Sequence, residues 1–186
     1  DDLPGLDVRL SLRPAAGGEP GDLVGEVAVL GQRLLADLTV QNYGSRALGR
    51  YAALARVEAY GLTGLADRTS IAVFTTLDFA EQQTLQLAHD VRLGGDGLAL
   101  GGQVTLGWTA PDTLPGFTVK SDTLFVTLDA TYPFIRTQRH SLWGTAGLDL
   151  VDQDVRVNGI DLTRDRVRTA FLQLRYLGLD AGSIRR

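Results

Sequence analysis

The chain contains 186 residues, of which 44% are hydrophobic and 22% are charged, with 22 Gly, 6 Pro and no Cys. This composition excludes an intrinsically disordered chain, a collagen-like repeat and a disulfide scaffold. The formal net charge of −4 argues against recruitment of nucleic acid. No apolar run reaches the roughly 18 to 20 residues that a membrane-spanning helix needs.

The first 30 residues differ from the rest of the chain. Two short strands are predicted, over residues 7–12 and 23–30, with turn-forming Pro20-Gly21 between them. Because proline and glycine interrupt this stretch so often, we interpret it as the end of a separate upstream module.

The remaining sequence is dominated by a period of two, in which apolar and polar residues alternate. In residues 83–93, for example, Leu85 and Leu87 alternate with Gln86 and Asp90. The segments that show this alternation are 32–41, 48–60, 69–79, 83–93, 98–108, 123–130, 142–150 and 169–176. Such alternation predicts about eight strands, each with one apolar face and one polar face. Turn residues between the segments, such as Gly94–Gly97, predict an antiparallel meander.

Strand length indicates the environment of these strands. Strands of soluble proteins usually run about 5 to 6 residues, whereas these are predicted to run about 10 to 12. A tilted strand of about 9 to 11 residues crosses a hydrocarbon core. Lipid offers no hydrogen bonds to an unpaired backbone, so strands of this kind must close into a barrel with the apolar face outward. A soluble sandwich or ligand-binding barrel, with the apolar face inside, remains the alternative.

Charged residues at the polar positions are the candidate wall of a pore. They are Arg50, Arg56, Glu58, Asp78, Asp90, Arg92, Asp149 and Arg175. One interpretation is contact with a polypeptide that passes through the pore. The other, which the sequence favours, is a ladder of opposite charges across neighbouring strands, each pair contributing roughly 0.2 to 1 kcal/mol.

The two remaining polar features do not indicate enzymatic chemistry. Asp149, Asp152 and Asp154 have the oxygen ligands of a weak Ca²⁺ site, but the sequence favours solvated acids in a loop. Asn158-Gly159 predicts a type I′ hairpin tip inside that longer loop. We find no catalytic motif, nucleotide-binding loop or metal-binding pattern, and so predict no enzyme, cofactor or metal.

Four short motifs resemble those of a known family. The segment 42–50 is similar to the N-x-G-S-x-x-x-G-R signature that opens the barrel of two-partner secretion transporters of the ShlB/FhaC/HecB type. Segments 61–67, 93–98 and 132–136 follow in the order expected for that family, and the last also predicts a rigid turn at its proline. The matching residues are Asn42, Gly44, Ser45, Gly49, Gly64, Asp67, Gly94, Gly97, Tyr132, Pro133 and Arg136.

The resemblance implies an all-β, antiparallel, up-and-down barrel in the outer membrane of a Gram-negative bacterium. Residues 1–30 would be the C-terminal remnant of a periplasmic POTRA module, and 31–186 about eight transmembrane strands, the first half of a sixteen-stranded barrel. The implied function is export of one large β-helical partner protein, of the haemolysin activation and secretion type, without nucleotide. The implied partners are outer-membrane lipid and the secreted protein, and no nucleic acid. Alternatives are a small closed eight-stranded outer-membrane barrel with a structural or adhesive role and a soluble ligand-binding β-barrel.

Overall fold

The computed structural model describes residues 4–17, 19, 21–112, 115–137 and 139–178. Within these residues the secondary structure consists of ten strands. They are β1 (Leu6–Pro14), β2 (Leu23–Gly31), β3 (Leu34–Gln41), β4 (Ala52–Tyr60), β5 (Arg68–Thr76), β6 (Gln82–Leu93), β7 (Leu98–Thr109), β8 (Val119–Arg136), β9 (His140–Val157) and β10 (Ile160–Gly178). The described residues include no helix long and apolar enough to cross a membrane.

The N-terminal strands β1 and β2 form a separate antiparallel pair. The prediction of two short strands at this end is confirmed. The pair contacts the larger sheet at the end of β4, where Gly5 lies against Tyr60, and the Gln32 amide donates to the Gly5 carbonyl at 2.7 Å. A Cβ at Gly5 would lie 2.6 Å from Cγ of Tyr60, so only glycine allows this close approach to the tyrosine ring.

Strands β3 to β10 form one eight-stranded sheet in which each strand pairs with its neighbours in sequence. Every pairing is antiparallel, which confirms the predicted all-β meander. In the described part of the chain β3 and β10 stand at opposite edges and do not pair with each other, so the sheet is open.

Strand length increases along the chain. β3 to β5 contain 8 or 9 residues, β6 and β7 contain 12, and β8 to β10 contain 18 or 19. The long loop predicted around Asn158 is wrong, because β9 continues to Val157 and β10 begins at Ile160. The predicted hairpin tip is confirmed: Asn158 and Gly159 have φ values of 51° and 80°, the two positive angles that a type I′ turn requires.

The register assigns the two faces of the sheet, because residues directly opposite each other point to the same side. One row joins Leu87, Val104, Val126 and Leu150 across β6 to β9. The polar residues lie on the other face: Gln86, for example, pairs with Thr105. The predicted alternation therefore produces two chemically different faces in the folded sheet.

The apolar face is not covered by any other part of the described chain. The only buried hydrophobic residues in that part are Ala52 and Ala72, which belong to the polar face. In contrast, Leu38 and Leu172 on the apolar face are 71% and 77% exposed. The sheet thus has no apolar core of its own, unlike a soluble barrel or sandwich.

Candidate functional site

Six of the eight predicted pore-wall charges lie on strands and share the polar face of the sheet. Cross-strand pairing places them there: Arg56 opposes Asp37, Asp90 opposes Gly101 and Asp149 opposes Thr127. The six are Arg56, Glu58, Asp90, Arg92, Asp149 and Arg175. The other two, Arg50 and Asp78, lie in the connections that follow β3 and β5 and are not part of the strand wall.

A cluster of charges on this face surrounds Gly101. Arg68 Nη2 lies 2.7 Å from Asp90 Oδ2, an ion pair between β5 and β6. A Cβ at Gly101 would lie 3.1 Å from Asp90 Oδ1 and 2.7 Å from Asp129 Oδ1. The two carboxylates therefore approach each other over a position that only glycine leaves free. The sequence candidates did not include Arg68 or Asp129, although Asp129 occupies a polar position of the predicted alternation.

The cluster borders a cavity of about 500 Å³ at the end of the sheet where β6 meets β7 and β8 meets β9. Its lining includes Asp90, Arg92, Gly101, Asp129, Arg136 and Trp143. Both signs of charge are present, so this wall resembles a polar conduit surface more than a pocket selective for one ion. Elsewhere on the face, hydrogen bonds between polar side chains continue the pattern, such as the one that the Thr127 hydroxyl donates to Asp149 at 2.8 Å.

The segment 42–50, the first family motif, forms the connection between β3 and β4. A Cβ at Gly44 would overlap the carbonyl of Gly49, so the chain folds back on itself only with glycine here. Gly49 has a φ of 83°, and a Cβ there would lie 2.7 Å from Thr76 Cγ2. The Ser45 hydroxyl accepts the Leu48 amide at 3.2 Å. The motif residues are therefore those that allow a tight loop to cover the end of β5.

The second motif forms the connection between β4 and β5 around a buried carboxylate. Asp67 is fully buried and accepts hydrogen bonds from the Thr63 hydroxyl at 2.7 Å, the Thr63 amide at 2.9 Å and the Leu62 amide at 3.1 Å. These donors hold the pKa of Asp67 below its usual range, with the Thr63 hydroxyl contributing most. Gly64 supplies a φ of 80° within the same loop.

The third and fourth motifs meet in space although they lie far apart in sequence. Gly94 and Gly97 have φ values of 68° and 88°, as expected for a tight turn. A Cβ at Gly97 would lie 3.0 Å from Cγ of Pro133, so this turn packs on β8. The rigid turn predicted at Pro133 is wrong: β8 runs through it to Arg136. A register shift between Pro133 and Ile135 accommodates the proline. At a bulge one residue is left out of the hydrogen bonds between the strands, so the missing N–H of proline is tolerated there.

The three acids considered for Ca²⁺ lie on opposite faces of β9, not in a loop. Asp149 belongs to the polar face, where Thr127 donates to it. Asp152 and Asp154 belong to the other face and pair with Arg168 at 2.6 Å and Arg164 at 2.7 Å. The interpretation as loop acids is therefore wrong: beyond Leu150 the alternation reverses its phase, with Val151 and Val155 on the polar face, and this reversal conceals the continuing strand.

The fold is similar to that of solved outer-membrane proteins. The chain matches CdiB from Escherichia coli with a TM-score of 0.74 and 14% identity, over 94% of this chain and 34% of that one. It matches CdiB from Acinetobacter baumannii with a TM-score of 0.68 and 17% identity, over 94% and 35%. BamA from Haemophilus ducreyi lacking POTRA domains 1–3 gives a TM-score of 0.50 and 13% identity, over 91% and 34%. The chain thus spans about a third of the length of these structures.

Sequence comparison identifies the family directly. No match is found among curated proteins. The family model for the haemolysin secretion/activation protein ShlB/FhaC/HecB matches residues 28–183, which includes the whole of the eight-stranded sheet. The chain therefore belongs to the ShlB/FhaC/HecB family of outer-membrane β-barrel transporters of two-partner secretion.

Proposed function

We propose that the chain forms part of the wall of an outer-membrane channel that exports a large partner protein. The observation that carries this proposal is the chemical difference between the two faces of the sheet. One face is charged, and the other is apolar and not covered by the described chain. Leu87 and Leu128, in the middle of that apolar face, are 46% and 53% exposed. Water makes such exposure unfavourable, whereas lipid does not.

The open edges of the sheet support a larger barrel over a small closed one. A barrel closed by eight strands has an interior only wide enough for side chains to fill, so it conducts no polypeptide. Unpaired edges within a hydrocarbon core leave backbone groups without hydrogen bonds. Pairing of β3 and β10 with further strands, as in a sixteen-stranded barrel, satisfies them and encloses a channel.

The N-terminal pair β1–β2 sets the proposed orientation. It lies at the end of β4, next to the connection 61–67. If residues 1–30 are the periplasmic end of a POTRA module, the turns at 61–67 and 94–97 face the periplasm. The connection 42–51 and the Asn158-Gly159 tip then face the outside of the cell.

The polar face is the surface that the exported polypeptide meets. Its charges have both signs and many are half-exposed: the Arg68 and Asp90 side chains, for example, are 44% and 42% exposed. Such a wall offers weak contacts to an unfolded chain without retaining it. We propose that this chain is a β-helical exoprotein of the haemolysin type, which leaves the channel as it folds.

Comparison of secreted proteins tests the proposal. Deletion of the β6–β7 hairpin, residues 82–109, from the chromosomal gene interrupts the sheet at its centre. We expect one large β-helical protein to disappear from the culture medium and to reappear there when the intact gene is supplied. Mass spectrometry of the medium and periplasm gives the readout. An unchanged set of secreted proteins would contradict the proposed function.

A further inference from the structure

Three connections at one end of the sheet are hydrogen-bonded to one another through their backbones. They are residues 42–51 between β3 and β4, residues 77–81 between β5 and β6, and residues 110–112 after β7. Three amide-to-carbonyl bonds join them: Leu77 to Tyr51 at 3.0 Å, Ala110 to Glu81 at 2.7 Å and Asp112 to Ala47 at 2.8 Å. We term these three connections the outer rim, since the bonds hold them together as one unit.

Glu81 touches both of the other connections in the outer rim and has an unusual carboxyl group. Its Oε2 atom is buried and has no hydrogen-bond donor in the described part of the chain. A Cβ at Gly49 would lie 3.2 Å from this atom, so the carboxyl group packs against the backbone of the first family motif. Because the chain itself covers the atom, the further strands of a larger barrel cannot supply a donor. A buried oxygen without a donor disfavours the charged form of the group.

The neighbour of this carboxyl group is a second one, that of Asp78. The two carboxyl groups are hydrogen-bonded to each other, and the Ala80 amide donates to Asp78 Oδ1 at 3.2 Å. Ionised carboxylates only accept hydrogen bonds, so the bond between them requires one proton. The bond with Asp78 and then burial raise the pKa of Glu81 above its usual range, and the same bond lowers the pKa of Asp78. Glu81 therefore holds the proton and Asp78 the charge.

Other charged or titratable groups of the outer rim influence this pair less. They are Tyr43, Arg46, Arg50 and Asp112. The largest influence on the pKa of Glu81 is its bond with Asp78, followed by burial. The protonation of the pair is therefore decided mainly by the pair itself.

We propose that the proton shared by Glu81 and Asp78 is a pH-sensitive lock that holds the outer rim closed over the end of β5. As pH rises through the raised pKa of Glu81, the proton leaves to water and two like charges remain side by side, one of them buried without a donor. Displacement of Glu81 then weakens the bonds from connection 77–81 to the rest of the rim. Below the lowered pKa of Asp78 its contribution is lost as well, so the rim is held best between the two pKa values. The inference rests on the proposed function only for the location of the rim at the outer mouth of the channel.

Hydrogen exchange of the full gene product in lipid vesicles tests the lock. Protection of the Leu77 and Ala110 amides is measured by mass spectrometry from mildly acidic to mildly alkaline pH and corrected for the intrinsic exchange rate at each pH. We expect protection to fall about fivefold as pH rises, the effect of losing one typical hydrogen bond. In Glu81→Gln the side-chain amide still donates to Asp78 but does not titrate, so protection should stay constant. Asp112→Asn is the matched control, because it removes a charge of the outer rim outside the pair and should preserve the fall.

A second variant keeps the test independent of any one substitution. In Asp78→Asn, either protonation state of Glu81 retains a hydrogen bond to the new amide, so protection should again be constant. Constant protection in the unmodified protein, or the same fall in both Glu81→Gln and Asp78→Asn, would overturn the inference. Export of the partner protein is measured separately. Normal export with constant protection refutes only the lock, whereas a fall in protection without export refutes the proposed function and leaves the lock in place.

Discussion

The first and last strands of the large sheet differ in their length relative to the thickness of a membrane. β3 to β5 contain 8 or 9 residues, close to the roughly 9 to 11 that cross a hydrocarbon core. β8 to β10 contain 18 or 19 residues, and each extends beyond its apolar part, β8 by the least and β10 by about half of its length. The short strands are therefore almost entirely transmembrane in the proposed arrangement, while the long strands also form a polar wall above the membrane.

The strand ends are stabilised differently in the two regions. In the short-strand region, folded-back connections hold the ends, and the only fully buried side chains of the described chain, Asp67 and Thr76, lie there. In the long-strand region, the two-residue tip Asn158-Gly159 and ion pairs such as Arg168–Asp152 replace such loops. The family motifs in the connections between the short strands thus supply hydrogen bonds and close contacts where the strands themselves form few hydrogen bonds with their neighbours.

The largest expected effect comes from charge on the apolar face. Val126→Arg and Leu87→Arg each place an arginine against lipid and should destabilise the folded protein by about 2 to 4 kcal/mol. Thr127→Arg and Gln86→Arg, one residue away on the polar face, should cost little. Urea unfolding of the full gene product in lipid vesicles measures the difference. Equal costs on both faces would refute the assignment of the apolar face to lipid in β6 and β8 alike.

A glycine substitution tests packing in the long-strand region. A Cβ at Gly147 would overlap the ring of Phe171 and lie 2.8 Å from the carbonyl oxygen of Leu128, which belongs to the backbone and cannot move easily. Gly147→Ala should therefore destabilise the protein by about 1 to 3 kcal/mol. Gly107→Ala is the control, since the nearest atom, Thr123 Cβ, is 3.8 Å away. A similar free energy of unfolding for the two variants would contradict the packing described for β9 and β10.

The buried carboxylate of the short-strand region predicts a smaller effect that depends on pH. Because hydrogen bonds from Thr63 lower the folded-state pKa of Asp67, its contribution is present above the unfolded-state pKa and is lost as pH falls through the lowered value. Asp67→Asn should reduce stability at neutral pH and remove this loss in acid. Asp96→Asn, in an exposed turn, is the control. Thermal unfolding from neutral to acidic pH measures both, and parallel curves for Asp67→Asn and the unmodified protein would contradict the prediction.

The smallest expected effect belongs to an ion pair of the long strands. Arg168 and Asp152 lie 2.6 Å apart, but their side chains are 48% and 39% exposed. A double-mutant cycle with Arg168→Gln and Asp152→Asn should therefore give a coupling of about 0.2 to 1 kcal/mol. The coupling should decrease at high salt because ions screen exposed charges. A coupling several times larger, or one independent of salt, would show that the pair is shielded from water.

Local sequence predicted the strands best where only one face was apolar. Residues 83–93 and 98–108 match β6 and β7 to within a residue at each end. Prediction failed around 151–168, because the alternation reverses its phase there: Val151 and Val155 lie on the polar face, and Asp152 and Asp154 lie on the face that is apolar elsewhere. It also failed at Pro133, since a bulge in the partner register makes a proline acceptable inside β8. The alternation of polar and apolar positions identified the charged residues of the polar face. Asp129 and Arg68 became apparent only when strand pairing placed them beside Asp90.

The sequence by itself determined the fold class, the alternation of the two faces and the family, because a period of two and a short motif are both patterns of residues close together in the chain. Tertiary structure decided what depends on register: which charges meet, where the apolar face ends, and which motif residues touch. Gly97 and Pro133, for example, are distant in sequence and come into contact only when β7 and β8 pair. A shift of one residue would reverse the faces of a strand, so the pairing, and not the composition, decides what each side chain meets.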